Sequence, residues 1–362
     1  MRVSDRVVRF ALALTTATAV VFCGVSSGLA QTSRPAAKPP ATTKATTPQT
    51  KPAPAPTRSS LAKSRAAAAE RARKAAAARA RERERAEREA MTPRYKRDLQ
   101  GNQIPDIRAA AAIVFDPQTN AVLWEQNAHE RRSIASLTKL MTALTFIADE
   151  PDLSQFVAVT ATDMRGASTT YLRTGDRISY RDLLHLALIP SDNAAARVLA
   201  RTSEGGTVAF VARMNQMALN LGLTNSEYAD PSGLDARNVA SAYDTSHLIA
   251  FVGADPVLGP ITRTQEFTAH SKTRVIPIHN TNKLLGDTAL GTGMDVLGGK
   301  TGFISKAGYC LATLLRLPQG PSIAVVVLGA GTSTVRFWEA RHLFNWVVGR
   351  SAGLIGGDEI VQ

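Results

Sequence analysis

A serine and a lysine three residues apart, Ser136 and Lys139, are the first pair whose side chains could do chemistry together. They lie in SIASLTKLMTAL, whose apolar residues recur at helical spacing, so both side chains are expected on one helix face. A serine hydroxyl is a poor nucleophile unless a base is within hydrogen-bond reach. A lysine can be that base if burial or nearby positive charge lowers its pKa. Alone the pair is a weak signal, because Ser-x-x-Lys also occurs by chance on protein surfaces.

A second polar group stands in IPSDNAA, where Ser191, Asp192 and Asn193 follow Pro190 and open an alanine-rich helix. Serine or aspartate at this place is a common helix N-cap, and capping alone would account for Ser191 or Asp192. The functional alternative is that the Ser191 hydroxyl relays a proton while the Asn193 amide holds a peptide group of a substrate.

A third group is LGGKTGFISKAGYC, residues 297–310, which looks at first like a phosphate-binding loop. The phosphate-loop spacing would need a glycine at Met294, and β-rich runs on both sides predict a strand instead. A strand edge with Lys300, Thr301 and Gly302 could pair with an extended peptide. The cationic lysine could then attract a terminal carboxylate.

The elements that must position these groups are strands at both ends of a globular region, with helices between them. Strands are predicted at 109–115, at 122–124 and within 296–349, where 323–328 is the clearest buried run; helices are predicted at 133–148, over most of 180–219 and at 335–348. One sheet completed by both chain halves makes this an α+β fold.

The charge of the chain is concentrated in its front segment. The net charge is +13, yet residues 31–100 carry 18 basic and six acidic residues, whereas residues 101–362 carry 22 and 23. The basicity therefore does not point to a polyanionic partner of the folded part.

The front segment divides by composition. Residues 1–30 are typical of a cleaved export signal, with an uncleaved anchor as the alternative, and Cys310 is then the one cysteine left, so no intrachain disulfide is expected. Residues 31–60 form a Pro/Thr/Ala/Lys-rich linker, and residues 61–98 an Ala/Arg/Glu-rich free-standing helix or disordered segment. This front part, 31–98, either touches an anionic cell-wall or membrane surface or is a solvated spacer.

Ser-x-x-Lys, Ser-x-Asn and Lys-Thr-Gly in this order form a recognised set. Together with IASLTKLMTAL, DLLHLALIPSDNAAARVLA, LGLTNSEYADPSGLDARNVASAYD and GGKTGFISKAGYCLAT, they make residues 108–350 resemble the D-alanyl-D-alanine carboxypeptidase and endopeptidase family, the low-molecular-weight penicillin-binding proteins. The resemblance implies a penicillin-recognising serine peptidase fold, an antiparallel sheet flanked by helices with a helical subdomain inserted, as a catalytic domain over 106–350 with a tail at 351–362. It implies action on peptidoglycan D-Ala-D-Ala peptides through an acyl-enzyme, with no metal or organic cofactor.

The resemblance also implies a role for each site residue. Ser136 is then the nucleophile and Lys139 its base, while Ser191 and Asn193 complete the proton relay and hold the substrate. Lys300, Thr301 and Gly302 line the strand along which the substrate binds. The backbone N–H groups of Ser136 and Phe303 form the oxyanion hole. Arg336, in VRFWEARHLFNW, matches a basic position near the substrate carboxylate, with a surface arginine on the last helix as the alternative.

Several alternatives stay open at this point. A class A β-lactamase would need Glu-x-x-x-Asn, but Glu227 is followed four residues later by Pro231, so β-lactams are expected to act as covalent inhibitors that are hydrolysed slowly. The end of the chain at Gln362 favours the short endopeptidase-like members over carboxypeptidases. A catalytically inactive wall-binding protein is a further possibility, and nucleic-acid binding is disfavoured by export to the periplasm or cell wall.

Overall fold

The structure of the protein is a computed structural model, and it describes residues 58–286, 294–318 and 320–355. The predicted export signal, 1–30, and most of the linker lie outside the described residues, as does the end of the predicted tail.

The described chain contains helices inserted between strands that lie near its two ends. In order they are α1 (Arg58–Ala90), β1 (Tyr95–Arg97), β2 (Gln103–Pro105), β3 (Ala111–Asp116), β4 (Ala121–Gln126), β5 (Arg132–Ser133), a 3₁₀ turn (Ala135–Leu137), α2 (Thr138–Ala148), β6 (Phe156–Ala158), α3 (Ala161–Met164), β7 (Arg177–Ser179), α4 (Tyr180–Leu188), α5 (Asn193–Thr202), α6 (Gly206–Asn220), β8 (Val239–Ala240), α7 (Ala242–Ala254), α8 (Leu258–Arg263), β9 (Glu266–His270), β10 (Val275–His279), β11 (Asp295–Ile304), β12 (Gly308–Arg316), β13 (Ser322–Ala330) and α9 (Ser333–Ile355).

The main sheet has five antiparallel strands in the order β11-β12-β13-β3-β4. Its central joint pairs β13 with β3, so that Val326 stands opposite Ile113. Strands from both ends of the globular region thus complete one sheet, which confirms the α+β prediction. Among the described strands β11 lies at an edge of this sheet, and strand edges of this kind can pair with an extended peptide.

Two apolar cores lie on the two faces of this sheet. One combines the helices inserted between β4 and β11 with sheet residues such as Ile113 and Val326, and the other combines α9 with residues such as Val325 and Val327. Successive residues of β13 enter different cores because side chains alternate across a strand. Helix α2 is buried along almost its whole length, from Thr138 to Ile147, so its polar residues are enclosed.

Regular structure precedes the start predicted for the catalytic domain, 106. Helix α1 ends at Ala90, β1 and β2 form a hairpin, and among the described residues one compact unit runs from Arg85 onward. Ala90 and Met91 pack on the second core, and the Arg108 guanidinium donates to the Ala90 carbonyl at 2.7 Å. The composition could not reveal this, since small residues carry no apolar stripe and the contacts are made by backbone carbonyls.

The part of α1 before Arg85 belongs to a separate unit. Its described side chains are exposed, and Glu70 and Lys74 form an i,i+4 ion pair at 2.8 Å. No helix in the described parts of the chain combines the length and apolar character that crossing a membrane requires.

Candidate active site

Ser136 lies in a tight turn immediately before α2, not inside a helix that starts at 133. Ser133 pairs with Val239 of β8, and Ala135 has a left-handed φ of 49°, so helical geometry begins only after it. The Thr138 hydroxyl donates to the Ala135 carbonyl at 2.7 Å and closes the turn. A non-glycine residue with positive φ is strained and persists when its surroundings hold it, as they commonly do at functional sites.

The Lys139 amine is fully enclosed and has three oxygen neighbours. Its Nζ lies 2.9 Å from Ser136 Oγ, 2.7 Å from Asn193 Oδ1 and 2.6 Å from the Ser232 carbonyl oxygen. The amide and carbonyl oxygens can only accept hydrogen bonds. In a neutral amine the two N–H groups would donate to them, and the lone pair would face the Ser136 hydroxyl.

Burial lowers the pKa of Lys139 to about 7, partly opposed by the charges of Asp192 and Asp230, with Arg197 lowering it further. Solvent cannot stabilise the ammonium form at this depth. A large share of the amine is therefore neutral near pH 7, which is the state that can take a proton from Ser136.

The loop before α5 holds Asn193 in place against Lys139. The Asp192 side chain caps α5 by accepting from Ala195 N at 2.9 Å, and its other oxygen accepts from Tyr171 N at 2.6 Å. Asn193 Nδ2 donates to the Ala167 carbonyl at 2.7 Å, which fixes the orientation of the amide. Both ends of this amide are engaged inside the protein, so these contacts favour positioning of Lys139 over holding a substrate.

Ser191 lies next to this loop in a strained backbone conformation, with φ of 66°. Its Oγ is buried and has no hydrogen-bond partner among the described residues. A buried hydroxyl without a partner costs free energy, so this position is available for a proton or a substrate group. The capping prediction holds for Asp192, while the relay role of Ser191 stays a prediction.

Strand β11 carries Lys300, Thr301 and Gly302 and packs against the turn that contains Ser136. A Cβ added at Gly302 would lie 2.8 Å from the Ile134 carbonyl oxygen and 3.1 Å from Ser136 N, so only glycine fits there. Thr301 Oγ1 lies 2.6 Å from Thr281 Oγ1. The strand prediction for Lys300 is confirmed, and the three motifs converge at one end of α2.

Lys300 differs from the simple picture of a charged surface lysine. It is 1% exposed, and its Nζ donates to the Thr301 carbonyl at 2.9 Å. Burial, with the positive charges of Lys139 and Arg336, lowers its pKa well below the ordinary value. An anionic group in the site would favour the ammonium form, so a carboxylate would bind together with a proton.

Arg336 is buried in the first turns of α9, and the surface alternative is therefore wrong. Its guanidinium donates to the Gly302 and Cys310 carbonyls at 3.1 and 3.3 Å and to Ser333 Oγ at 3.1 Å. Burial lowers its pKa to about 10. The residue contacts the rear of the Gly302 peptide.

Two contributors were given no role in the site by the sequence analysis. The loop Asp230-Pro231-Ser232-Gly233-Leu234, which lies in one of the stretches that carry the family resemblance, supplies the Ser232 carbonyl, and a Cβ on Gly233 would lie 2.1 Å from the Ala135 oxygen. Thr281 joins two motifs, because its backbone N–H donates to the Ile189 carbonyl at 3.2 Å while its hydroxyl contacts Thr301. A backbone carbonyl has no side-chain signature, so the resemblance and the Ser-Gly turn could mark the loop but not the role of the Ser232 oxygen. Gly233 has a left-handed φ of 82°.

Glu227 does not serve the site. It forms an ion pair with Arg131 at 2.6 Å, and its side chain is 63% exposed.

Comparison with known proteins identifies the family to which this chain is similar. Residues 98–332 match the model of the D-alanyl-D-alanine carboxypeptidase family. The chain is 32% identical to the D-alanyl-D-alanine endopeptidase of Escherichia coli K12, over 67% of this chain and 78% of that protein. It is 35% identical to the D-alanyl-D-alanine carboxypeptidase DacC of the same organism, over 67% of this chain and 62% of that protein.

Solved structures give the same result. The Streptomyces K15 DD-transpeptidase superposes with a TM-score of 0.62 at 26% identity, covering 67% of this chain and 97% of that one. The D-alanyl-D-alanine carboxypeptidase of Mycobacterium tuberculosis H37Rv superposes with a TM-score of 0.63 at 26% identity, covering 71% and 96%. Fold and site thus define a penicillin-recognising serine D,D-peptidase. Within that class, the chain belongs to the D-alanyl-D-alanine carboxypeptidase family.

Proposed function

We propose that the protein hydrolyses the peptide bond that follows a D-alanine in peptidoglycan stem peptides, as a carboxypeptidase that works through an acyl-enzyme on Ser136. The observation that carries the proposal is the 2.9 Å contact between Lys139 Nζ and Ser136 Oγ, made by an amine whose pKa burial lowers to about 7. A buried neutral base beside a hydroxyl activates a nucleophile.

In the acylation step, Ser136 Oγ attacks the carbonyl carbon of the penultimate D-alanine while its proton passes to Lys139. The negative charge on the carbonyl oxygen is stabilised by the backbone N–H groups of Ser136 and Phe303, which the glycine at 302 allows to approach each other. The C–N bond then breaks, and the proton reaches the leaving amine through Lys139, with Ser191 as the proposed relay.

In the deacylation step, a water molecule attacks the ester carbonyl and gives its proton to Lys139. The ester C–O bond breaks, Ser136 Oγ recovers that proton, and the shortened peptide leaves. Thr301 and Lys300 are proposed to hold the terminal carboxylate of the substrate, with Lys300 charged once the anion is present. Apart from this water, the groups in the two steps are side chains and backbone amides of this chain.

A second candidate is endopeptidase activity, which releases a donated cross-link instead of a free D-alanine. Two endopeptidases favour it: those of Escherichia coli and Pseudomonas aeruginosa are 32% and 34% identical, each aligned over 78% of its length, against 62% for DacC. The chemistry at Ser136 is the same for both activities, and the difference lies in the leaving group that the groove admits.

The experiment uses purified protein with two substrates, free pentapeptides and cross-linked muropeptide dimers, and identifies the products by mass. Carboxypeptidase activity removes one D-alanine from the pentapeptide, and endopeptidase activity converts dimers to monomers. Ser136→Ala should abolish both, whereas Ser154→Ala, an exposed serine bonded to Asp152, should leave both unchanged. Turnover by Ser136→Ala, or none by the wild type, would reject the proposal.

Export and the role of the front segment complete the proposal. The basic residues Arg2, Arg6 and Arg9 before an apolar stretch support export to the periplasm or cell wall. The exposed helix with its excess of arginine supports contact with an anionic envelope surface. Sedimentation with anionic vesicles, with and without residues 31–84, tests that contact, and equal sedimentation of both forms would reject it.

A further inference from the structure

Arg336 is held rigidly behind the proposed oxyanion hole. It is 7% exposed, its guanidinium lies 4.7 Å from the Phe337 ring centroid and 5.5 Å from that of Tyr309, and its Nη atoms donate to three protein oxygens. An arginine with this many contacts is fixed by the fold. Moving it into the groove would leave two carbonyls and a hydroxyl without these bonds.

The acceptor that matters is the Gly302 carbonyl. The peptide unit that contains this oxygen also contains the N–H of Phe303, which is the proposed oxyanion donor. In a trans peptide the C=O and N–H point in opposite directions. The guanidinium therefore contacts the carbonyl side of this peptide unit. The N–H of Phe303, on the other side, points away from Arg336.

A cationic donor on a carbonyl oxygen strengthens the donor at the other end of the same amide. Hydrogen bonds in a chain polarise one another, and charged donors make the stronger bonds. This effect is larger in a buried site because water does not screen the charge.

We propose that Arg336 is a positioning residue that polarises the Gly302–Phe303 peptide, so that the Phe303 N–H stabilises the oxyanion more strongly. The inference rests on the proposed acyl-enzyme function.

The size of the effect follows from two general magnitudes. Removing an oxyanion-hole donor lowers kcat about 10²–10³-fold, and cooperative polarisation changes a hydrogen bond by about 10–30%, so losing Arg336 should lower kcat about two- to eightfold. Acylation and deacylation should slow together because both pass through an oxyanion. KM should change less than kcat.

The test compares Arg336→Met, which removes donor and charge, with Arg336→Lys, which keeps the charge next to Lys300 and restores a donor. Arg341→Met, a partly exposed arginine on the same helix, is the matched control. Each protein is assayed with a D-Ala-D-Ala peptide and with its C-terminal amide, which lacks the carboxylate. We expect the same two- to eightfold fall with both substrates, partial rescue by Arg336→Lys, and no change in the control.

An independent readout is the amide proton resonance of Phe303 in a ¹H–¹⁵N spectrum. Polarisation predicts an upfield shift in Arg336→Met and its partial reversal in Arg336→Lys. A Phe303 resonance that does not move, or a loss confined to the carboxylate-bearing peptide, would overturn the inference. A wild type that does not react with either substrate would reject the proposed function instead, and the Phe303 resonance would still decide the inference.

Discussion

Gly302→Ala probes the contact between strand β11 and the turn that contains Ser136. The new Cβ would lie 2.8 Å from the Ile134 carbonyl oxygen and 3.1 Å from Ser136 N. Ordinary carbon-to-oxygen contacts are about 3.3–3.6 Å, so strand and turn must separate by roughly 0.5 Å. Overpacking of this kind costs about 1–3 kcal/mol of stability. Since a 1 Å misplacement can cost about 10²-fold in rate, we expect the acylation rate to fall about 10- to 100-fold.

The assay is the second-order rate of labelling by a fluorescent penicillin, with the unfolding midpoint measured alongside. Gly349→Ala is the matched control, because a Cβ at that helical position has no heavy atom within 4 Å. It should label at the wild-type rate with equal or higher stability. Wild-type labelling by Gly302→Ala would refute the reasoning, since strand and serine would then not be in contact.

The remaining predictions concern pH, one bridging hydroxyl and one buried ion pair. With its pKa at about 7, Lys139 is protonated and unable to act as a base below that pH, so acylation should rise through pH 7 and level off above it; a rate that is constant from pH 5 to 9 would contradict this. Thr281→Val removes the 2.6 Å contact with Thr301 and should lower kcat/KM about two- to tenfold, for a loss of about 0.5–1.5 kcal/mol; an unchanged value would show that the contact is not used. Asp163→Asn breaks a buried pair with Arg201 at 2.8 Å and should cost about 3 kcal/mol in chemical denaturation; a loss below about 1 kcal/mol would contradict the pairing.

The two substitutions, Thr281→Val and Asp163→Asn, each have a control of the same chemistry on the surface. Thr264→Val removes an exposed hydroxyl that donates to the Pro260 carbonyl, and Asp295→Asn removes an exposed partner of Arg316. Both should leave labelling by penicillin unchanged. Surface ion pairs are worth about 0–1 kcal/mol, so Asp295→Asn should also unfold close to the wild type.

The fold was predictable where side-chain periodicity is strong. The run 323–328 is a buried central strand, and the strands around Lys300 and at 109–115 complete the same sheet. The start of α2 was not predictable, because the break at Ala135 comes from contacts with the loop that contains Gly233, about 100 residues away. A left-handed alanine has no local signature in the sequence.

In the active site, too, some features could be predicted from the sequence and others could not. The motifs predicted that the serine, the lysine and the strand would meet, and the Lys139 amine does contact Ser136 and Asn193 while Gly302 lies against the Ser136 backbone. The roles of these residues stay predictions. Burial was not visible in the sequence. Lys300 is an enclosed amine, and the Arg336 guanidinium donates to the Gly302 carbonyl from inside the fold.

The most direct measurement of the central claim is the position of the covalent bond formed with penicillin. The wild-type protein is incubated with benzylpenicillin, digested and mapped by mass spectrometry. A penicilloyl mass on the peptide that carries Ser136, and its loss in both Ser136→Ala and Lys139→Met, is the predicted result. A protein that stays unmodified, or an adduct on any residue other than Ser136, would contradict it.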